Sequence, residues 1–306
     1  MNLKALLKNL TKSEKDTLLK LLKTEIMDET NRFKNGIYCP YCKSIHIVKE
    51  GKLNNHQRYK CKDCHHYFSQ YNNTIFYTTK KEIDLWKQYI DLMFEFKSLK
   101  KISKELNICI QTSFKWRHKI LTLINKLCMN DKLSGIVEID ETFIRESQKG
   151  NRNLNRLPRN KTHGKFSKIK NKRGLSSDQA GVLVAIDRNN NIISKFYGLG
   201  KITDTQIYNI LHNKIDKNSI LITDGYVPYK SFAFDENFEI KQCISGRPIS
   251  KMYHINNCNS YHSYLKEFLK KFKGISTKYI DEYLAWFKFI KQKNDIGYLF
   301  NELMLR

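Results

Sequence analysis

The chain has 306 residues, 41% hydrophobic and 12% aromatic with only 4 prolines, which suits two or three folded domains with a sizeable core. Its 55 Lys and Arg against 30 Asp and Glu leave a net charge of +25, which favours nucleic acid or another anionic surface as partner, although an AT-rich bias toward Lys, Asn and Ile accounts for part of the excess. No run of about 18 apolar residues and no charged-then-apolar leader is present, which argues against a membrane span and against secretion and makes the cytoplasm the expected compartment.

Residues 1–34 predict an N-terminal helical segment: LKALLKNLTKSEKDTLLKLLKTEI spaces its leucines helically, with Thr11 or Ser13 as caps. It packs either on its own chain or on a second copy. Residues 35–75 carry two C-x-x-C pairs, Cys39 with Cys42 and Cys61 with Cys64, with 18 residues between the pairs. Two close pairs at this separation let four thiolates converge tetrahedrally on Zn²⁺, which offsets the small core of so short a segment. Disulfides are the alternative, weakened by the lack of a secretion signal. A closed four-cysteine shell is structural, but the surrounding Lys43, Lys49, Lys52, Arg58, Lys60 and Lys62 alternate with Tyr41, Tyr59, Tyr67 and Phe68. A basic, aromatic ribbon fits DNA, and a protein-contact role is the competing reading.

Over 80–130 the periodicity predicts a helix through KEIDLWKQYIDLMFEF with Ile83, Trp86, Tyr89, Ile90 and Met93 or Phe94 inward, then a short helix ending near Asn107, then a longer one over 111–127. Phe114, Ile120, Leu121 and Ile124 are expected inward, and Gln111, Ser113, Lys115, Arg117 and His118 outward. Short helix, turn, longer helix with basic residues in its first turns is the helix-turn-helix pattern, with Lys115 and Arg117 as DNA contacts; a helical linker gives similar spacing.

From 134 to 306 the pattern turns to strands and helices. GIVEID ends in Asp140 and SILITD in Asp224; AGVLVAIDR and NIISKFYGL form an antiparallel pair across RNNN; TDTQIYNILHNKI is a helix capped by Thr203 or Asp204; FEIKQCI is a further strand. Three antiparallel strands, a helix and further strands predict an RNase H-like α/β domain, a mixed sheet flanked by helices, in which the ends of the first and fourth strands are neighbours. Asp140 and Asp224 then meet, although strand-end Asp residues also arise simply because turns follow. Carboxylates gathered at strand ends in a chain that attracts phosphate suggest metal-dependent phosphodiester chemistry. On a helix over 257–272, Tyr261, Leu265, Phe268 and Phe272 share one stripe, while Asn259, His262, Ser263, Lys266 and Lys270 share the other. An insertion over 148–175 holds ten Lys and Arg and no acid, among them Arg156, Arg159, Lys161, Lys168, Lys170 and Arg173. It reads as a solvated loop that grips DNA when DNA arrives.

From about Cys39 to Phe289, through CPYC, CKDC, VEIDETF, TDGYVPY and HINNCNSYHSYLKEFLKKFKGISTKYIDEYLAWF, the chain resembles the zinc-ribbon insertion-sequence transposases of the DDE superfamily, in the branch with a DDNK or DDEK set. Asn259 lies 35 positions after Asp224, a separation familiar in these enzymes. The resemblance implies that Asp140 and Asp224 hold catalytic Mg²⁺ or Mn²⁺, that Asn259 occupies the usual Glu position, and that Lys266 contacts the terminal DNA phosphates. Two ions about 3.5–4 Å apart, bridged by Asp140, would activate water and then a DNA 3′-hydroxyl. Glu138 is expected beside the site, and Glu141 has no assigned part. The implied partners are double-stranded DNA, both element ends and target, and further copies of the chain bound to it; the implied place is the bacterial nucleoid. The alternatives are a DNA-binding regulator whose catalytic domain has decayed, suggested by Asn259, and a nuclease of the same fold that cuts without joining.

Overall fold

The computed structural model describes residues 33, 36–53, 56–77, 79–128, 132–154, 179–244, 247–292 and 299. The N-terminal helix expected over 1–34, Phe33 apart, and the basic insertion beyond Leu154 lie outside them. The described residues fall into two compact units: those within Met1–Glu95, Ile102–Ile108 and Asp295–Arg306, and those within Phe96–Lys101 and Cys109–Asn294. Among them no helix is long and apolar enough to cross a membrane.

In the first unit, strands β1 (Ile47–Leu53), β2 (His56–Cys61) and β3 (Tyr67–Phe68) form an antiparallel sheet. The two C-x-x-C turns are built alike: the residue after each second cysteine, Lys43 at φ 64° and His65 at φ 59°, is left-handed, which folds each pair back on itself. The four sulfurs converge, with Cys39 Sγ 3.5 Å from Cys64 Sγ and Cys42 Sγ 3.6 Å from Cys61 Sγ. A tetrahedron with Zn–S bonds of about 2.3 Å has edges of about 3.8 Å, so the cluster fits zinc. All eight cysteines are free thiols, which removes the disulfide alternative. Phe33 and Phe68 pack on the buried Cys39 and Cys61, so the metal shell and the small apolar core are one cluster. Helix α1 (Ile83–Phe94) buries Ile83, Trp86, Tyr89, Ile90 and Met93, the face its spacing predicts, with Trp86 edge-on to Phe76 at 5.3 Å.

Helix α2 (Leu99–Glu105) carries the division between the units, and α3 (Ile110–Leu127) belongs to the second. Cys109 is exposed and caps α3 by accepting the Thr112 N–H. The buried stripe of α3 runs through Ser113, Trp116, Arg117, Ile120, Leu121 and Ile124, so Phe114 is exposed and Arg117 is not. Ser113 and Arg117 lie in the i, i+3, i+4, i+7 stripe despite their polarity, which is why a hydrophobic pattern alone turns them outward.

The second unit is built on a five-stranded sheet of order β6-β5-β4-β7-β8, from β4 (Ile136–Arg145), β5 (Gln179–Asp187), β6 (Ile192–Leu199), β7 (Ile220–Thr223) and β8 (Glu239–Gln242). β4, β5 and β6 pair antiparallel, and β7 and β8 add in parallel. That order, with helices on both faces, is the RNase H-like arrangement. On one face Val137, Ile139, Leu183 and Leu221 pack with Ile207 and Leu211 of α4 (Asp204–Leu211) and Tyr229 and Phe232 of α5 (Val227–Asp235). Thr203 and Gln206 close a reciprocal capping box on α4. The opposite face carries α6 (Asn256–Lys270) and α7 (Ile280–Lys291), whose Tyr261 and Phe287 rings meet at 4.9 Å.

Because zinc and the Phe33–Phe68 cluster are one unit, Cys61→Ser should lower bound zinc from about one ion per chain to well under half, by elemental analysis. Full retention of zinc in that variant would remove the four-thiolate assignment.

Candidate active site

Asp140 stands in the middle of β4 rather than at its end, and Asp224 directly follows β7. The two strands run parallel with Ile139 opposite Thr223, so the aspartates occupy the next step of the same register. There β7 stops while β4 continues paired with β5 to Arg145, which leaves the other edge of β4 open beyond Ile139. Successive side chains on a strand point to opposite faces, but at an open edge both can turn into the same space. Asp140, Glu141 and Asp224 do so: each offers a carboxylate oxygen, and these oxygens lie within 4.8 Å of one another. Asp224 is held by its own turn, its Oδ1 accepting the Tyr226 N–H at 2.9 Å and its carbonyl accepting Gln242 Nε2 at 2.9 Å.

Crowding of acids in a half-buried pocket disfavours their ionised forms. Burial pushes Asp140 up to about 6, the charge of Asp224 adding to the rise while the Glu141 backbone and Lys266 oppose it. Burial likewise lifts Glu141 to about 7, with Asp140 and Asp224 adding to the rise. Tyr197, Tyr226 and Tyr229 wall Glu141, and burial followed by its charge raises each above the ordinary tyrosine range. Tyr197 lies across Gly181 of β5, where any Cβ would sit 2.1 Å from its ring. The absence of a side chain at 181 is what admits that wall. A divalent cation offsets such a cluster of carboxylates, so the residues present fit Mg²⁺ or Mn²⁺.

Two residues before Asp140, on the same face of β4, Glu138 is fully buried. Its carboxylate accepts the backbone N–H groups of Asn257 at 2.8 Å and Cys258 at 3.2 Å and the Asn257 side-chain amide at 2.8 Å. Arg188 Nη1 at 2.5 Å and His254 Nδ1 at 3.2 Å complete the shell. Helix α6 has no side-chain cap of its own, so Glu138 caps it from the sheet and sits at its positive end.

Helix α6 therefore starts at a fixed point beside Asp140. His262, expected on the polar outer stripe, is buried instead, with Nδ1 3.8 Å from Asp140 Oδ2 and Nε2 without a hydrogen-bond partner. Burial lowers its pKa to about 4, with the charge of Lys266 adding to the effect, so the imidazole is neutral. Asn259 and Lys266 are exposed on the same helix. Lys266 is close enough for its charge to act on both Asp140 and His262. The sequence pattern leaves Glu141 without a part and puts His262 in solvent. The signals that could have placed them are the acid adjoining Asp140, and the spacing of Cys258, Tyr261, His262 and Leu265 as one inward stripe.

Of the residues expected to touch DNA, Lys115 is exposed on α3. Arg117 is corrected: it is 2% exposed, donates from Nη2 to the Lys97 carbonyl at 2.7 Å and lies over the rings of Phe272 and Trp286. It is an internal strut for α3, not a phosphate contact. Arg156, Arg159, Lys161, Lys168, Lys170 and Arg173 lie outside the described residues.

Known proteins share these parts. The ISXO2-like transposase domain family matches residues 132–291, and the InsA N-terminal domain, a zinc ribbon, matches residues 35–65. An uncharacterized protein in transposable element ISH50 of Halobacterium salinarum is 24% identical over 263 residues, covering 84% of this chain and 86% of that protein. Among solved structures, the Mos1 strand transfer complex has 13% identity and a TM-score of 0.29, with 74% of each chain covered. The Mos1 transposase paired-end complex with left transposon end has the same identity and score, covering 74% of this chain and 75% of that one. The overlap is partial, so strand order, not this likeness, carries the fold assignment.

Removing the carboxylate at 138 leaves the buried Cys258 N–H and the part-buried Asn257 N–H without their acceptor and the solvent-exposed Arg188 without its ion pair. Glu138→Ala should therefore cost roughly 2–3 kcal/mol of stability, read from denaturant unfolding. A loss below about 1 kcal/mol would show that Glu138 does not anchor α6.

Proposed function

The chain belongs to the ISXO2-like transposase family, and from that premise we propose that it binds the ends of its insertion sequence, cleaves a DNA strand there and transfers it to target DNA. The observation that carries this reading is the convergence of Asp140, Glu141 and Asp224 at the open edge of β4, inside the region that the family matches. A divalent cation held by Asp140 and Asp224 would activate the attacking hydroxyl and offset charge on the leaving oxygen.

The remaining work falls to the chain's own groups. No side chain here needs to act as a covalent nucleophile, because water and a DNA 3′-hydroxyl supply the attacking oxygens. Asn259, exposed on α6, offers a neutral amide oxygen where related enzymes carry an acid. Lys266, seven residues further along the same face, binds the phosphate being attacked and screens it from the acids. Element ends are held by the zinc ribbon (35–75), whose exposed lysines and tyrosines fit a phosphate backbone, and by the helix-turn-helix segment (80–130) through Lys115. The insertion residues Arg156, Arg159, Lys161, Lys168, Lys170 and Arg173 add phosphate contacts next to the catalytic domain (134–306). Cutting two ends and joining them calls for at least two copies of the chain on DNA.

With labelled terminal inverted repeats and Mg²⁺ or Mn²⁺, purified protein is expected to cleave and join. Asp140→Asn and Asp224→Asn should each lower both steps on the order of a thousandfold, the loss of several kcal/mol of transition-state stabilisation, while end binding persists. No cleavage by the unaltered protein would point to a DNA-binding regulator, and cleavage without joining to a nuclease. Replacing the six named insertion residues by Gln should weaken end binding and flatten the log K against log salt slope by about 0.9 for each phosphate no longer neutralised. An unchanged slope in that titration would take the insertion out of the DNA interface.

A further inference from the structure

We propose that Glu141 is the third carboxylate ligand of the metal site, supplying the charge that Asn259 lacks; the inference rests on the transposase reading above and deepens it. Two aspartates alone oppose a divalent ion with two negative charges, and an amide adds none. Glu141 adds the third from the adjoining position on β4, its carboxylate oxygen within 4.8 Å of those of both aspartates.

The chain shows by contrast how it treats a carboxylate that is merely structural. Glu138, on the same strand, is fully buried and fully paired, with a guanidinium, an imidazole, an amide and two backbone N–H groups directed at it. Glu141 is half-buried, and among the described residues it has no Lys, Arg or His ion-pair partner. Its neighbours are two other acids and three tyrosines. A cluster so arranged calls for a cation.

A second observation points to the same group. The His262 side chain is 8% exposed, one ring nitrogen is 3.8 Å from Asp140 Oδ2, too far for a hydrogen bond, and the other has no partner. A buried imidazole nitrogen without a partner, on a ring in contact with Asp140, is a position that an ion or a water ordered by an ion would satisfy. His262 meets Asp140 from α6, while Glu141 and Asp224 bring their carboxylate oxygens within 4.8 Å of those of Asp140 at the open edge of β4.

The test is Mn²⁺ binding to the zinc-loaded full chain without DNA, followed by electron paramagnetic resonance and by the rise in melting temperature on adding Mn²⁺. Glu141→Gln is expected to weaken Mn²⁺ at least tenfold, comparably to Asp224→Asn, and to shrink the Mn²⁺-induced rise in melting temperature. The same variant should melt no lower than the unaltered chain when Mn²⁺ is absent, because it removes a repelling charge. Mn²⁺ affinity within twofold of the unaltered chain in Glu141→Gln, with affinity lost in Asp224→Asn, overturns the proposal and leaves the aspartate site standing. Unaltered affinity in Asp140→Asn and Asp224→Asn overturns the metal-site reading itself, and this proposal with it. Should Glu141→Gln fail to fold, Glu141→Ala is read by the same two measurements.

Discussion

Glu138 is a charged side chain with no exposed surface, and that condition is stable only because Arg188, His254, Asn257 and Cys258 are all turned toward it. The interaction joins three parts of the chain: the central strand, the end of β5 and the first turn of α6. Breaking it would leave either the buried carboxylate or two helix N–H groups unmatched, so the sheet and the helix cannot slide past one another cheaply. The consequence is positional. Asp140 follows Glu138 by one pleat on the same face of β4, and His262 and Lys266 follow Cys258 by about one and two turns of α6. A single carboxylate thus sets the distance between the acids of the strand and the polar groups of the helix.

The second constraint is the unequal length of β4 and β7. A longer β7 would pair with β4 past Ile139 and send Asp140 and Glu141 to opposite faces of a closed sheet. Ending β7 at Thr223 instead opens the edge, and Asp224 then enters from the neighbouring turn. The gathered carboxylates are costly without a cation: at 4.8 Å each ionised pair repels by roughly 3.5 kcal/mol at an effective dielectric near 20. This repulsion adds to burial, the larger cause, in raising Asp140 to about 6, against the charge of Lys266, and Glu141 to about 7.

What the sequence revealed and what it hid follow from the range of the interactions involved. The four cysteines were legible because metal geometry demands close pairs, and the sheet because β-branched runs alternate against polar residues over whole strands. The pairing of Asp140 with Asp224 followed from strand order, although the extension of β4 to Arg145 did not, since TFIR carries no alternation that a turn could not also show. Helix α5 left no readable signal: Pro228 reads as a turn, and Tyr229 and Phe232 are buried while Phe234 is 87% exposed, so aromatics on both faces erase the period. Arg117 and His262 were misplaced for a common reason. A polar residue on a buried stripe is legible only with its surroundings, and the Lys97 carbonyl that Arg117 bonds and the Asp140 that His262 lies against are distant in sequence.

The contrast between Glu138 and the acid cluster also explains how a chain of net charge +25 can hold a negative site. Among the described residues, basic side chains such as Lys43, Lys49, Lys62 and Lys115 are exposed, where solvent screens them beyond about 10 Å at ordinary salt. The acids sit in a half-buried recess with a single nearby ammonium among the described residues, Lys266, exposed at its mouth. On the proposed reading, a phosphodiester drawn by the general charge would meet Lys266 before a carboxylate, and a divalent cation between them would offset the repulsion by the acids. Attraction of DNA would then depend on the surface as a whole, and competence for chemistry on the site at the edge of β4.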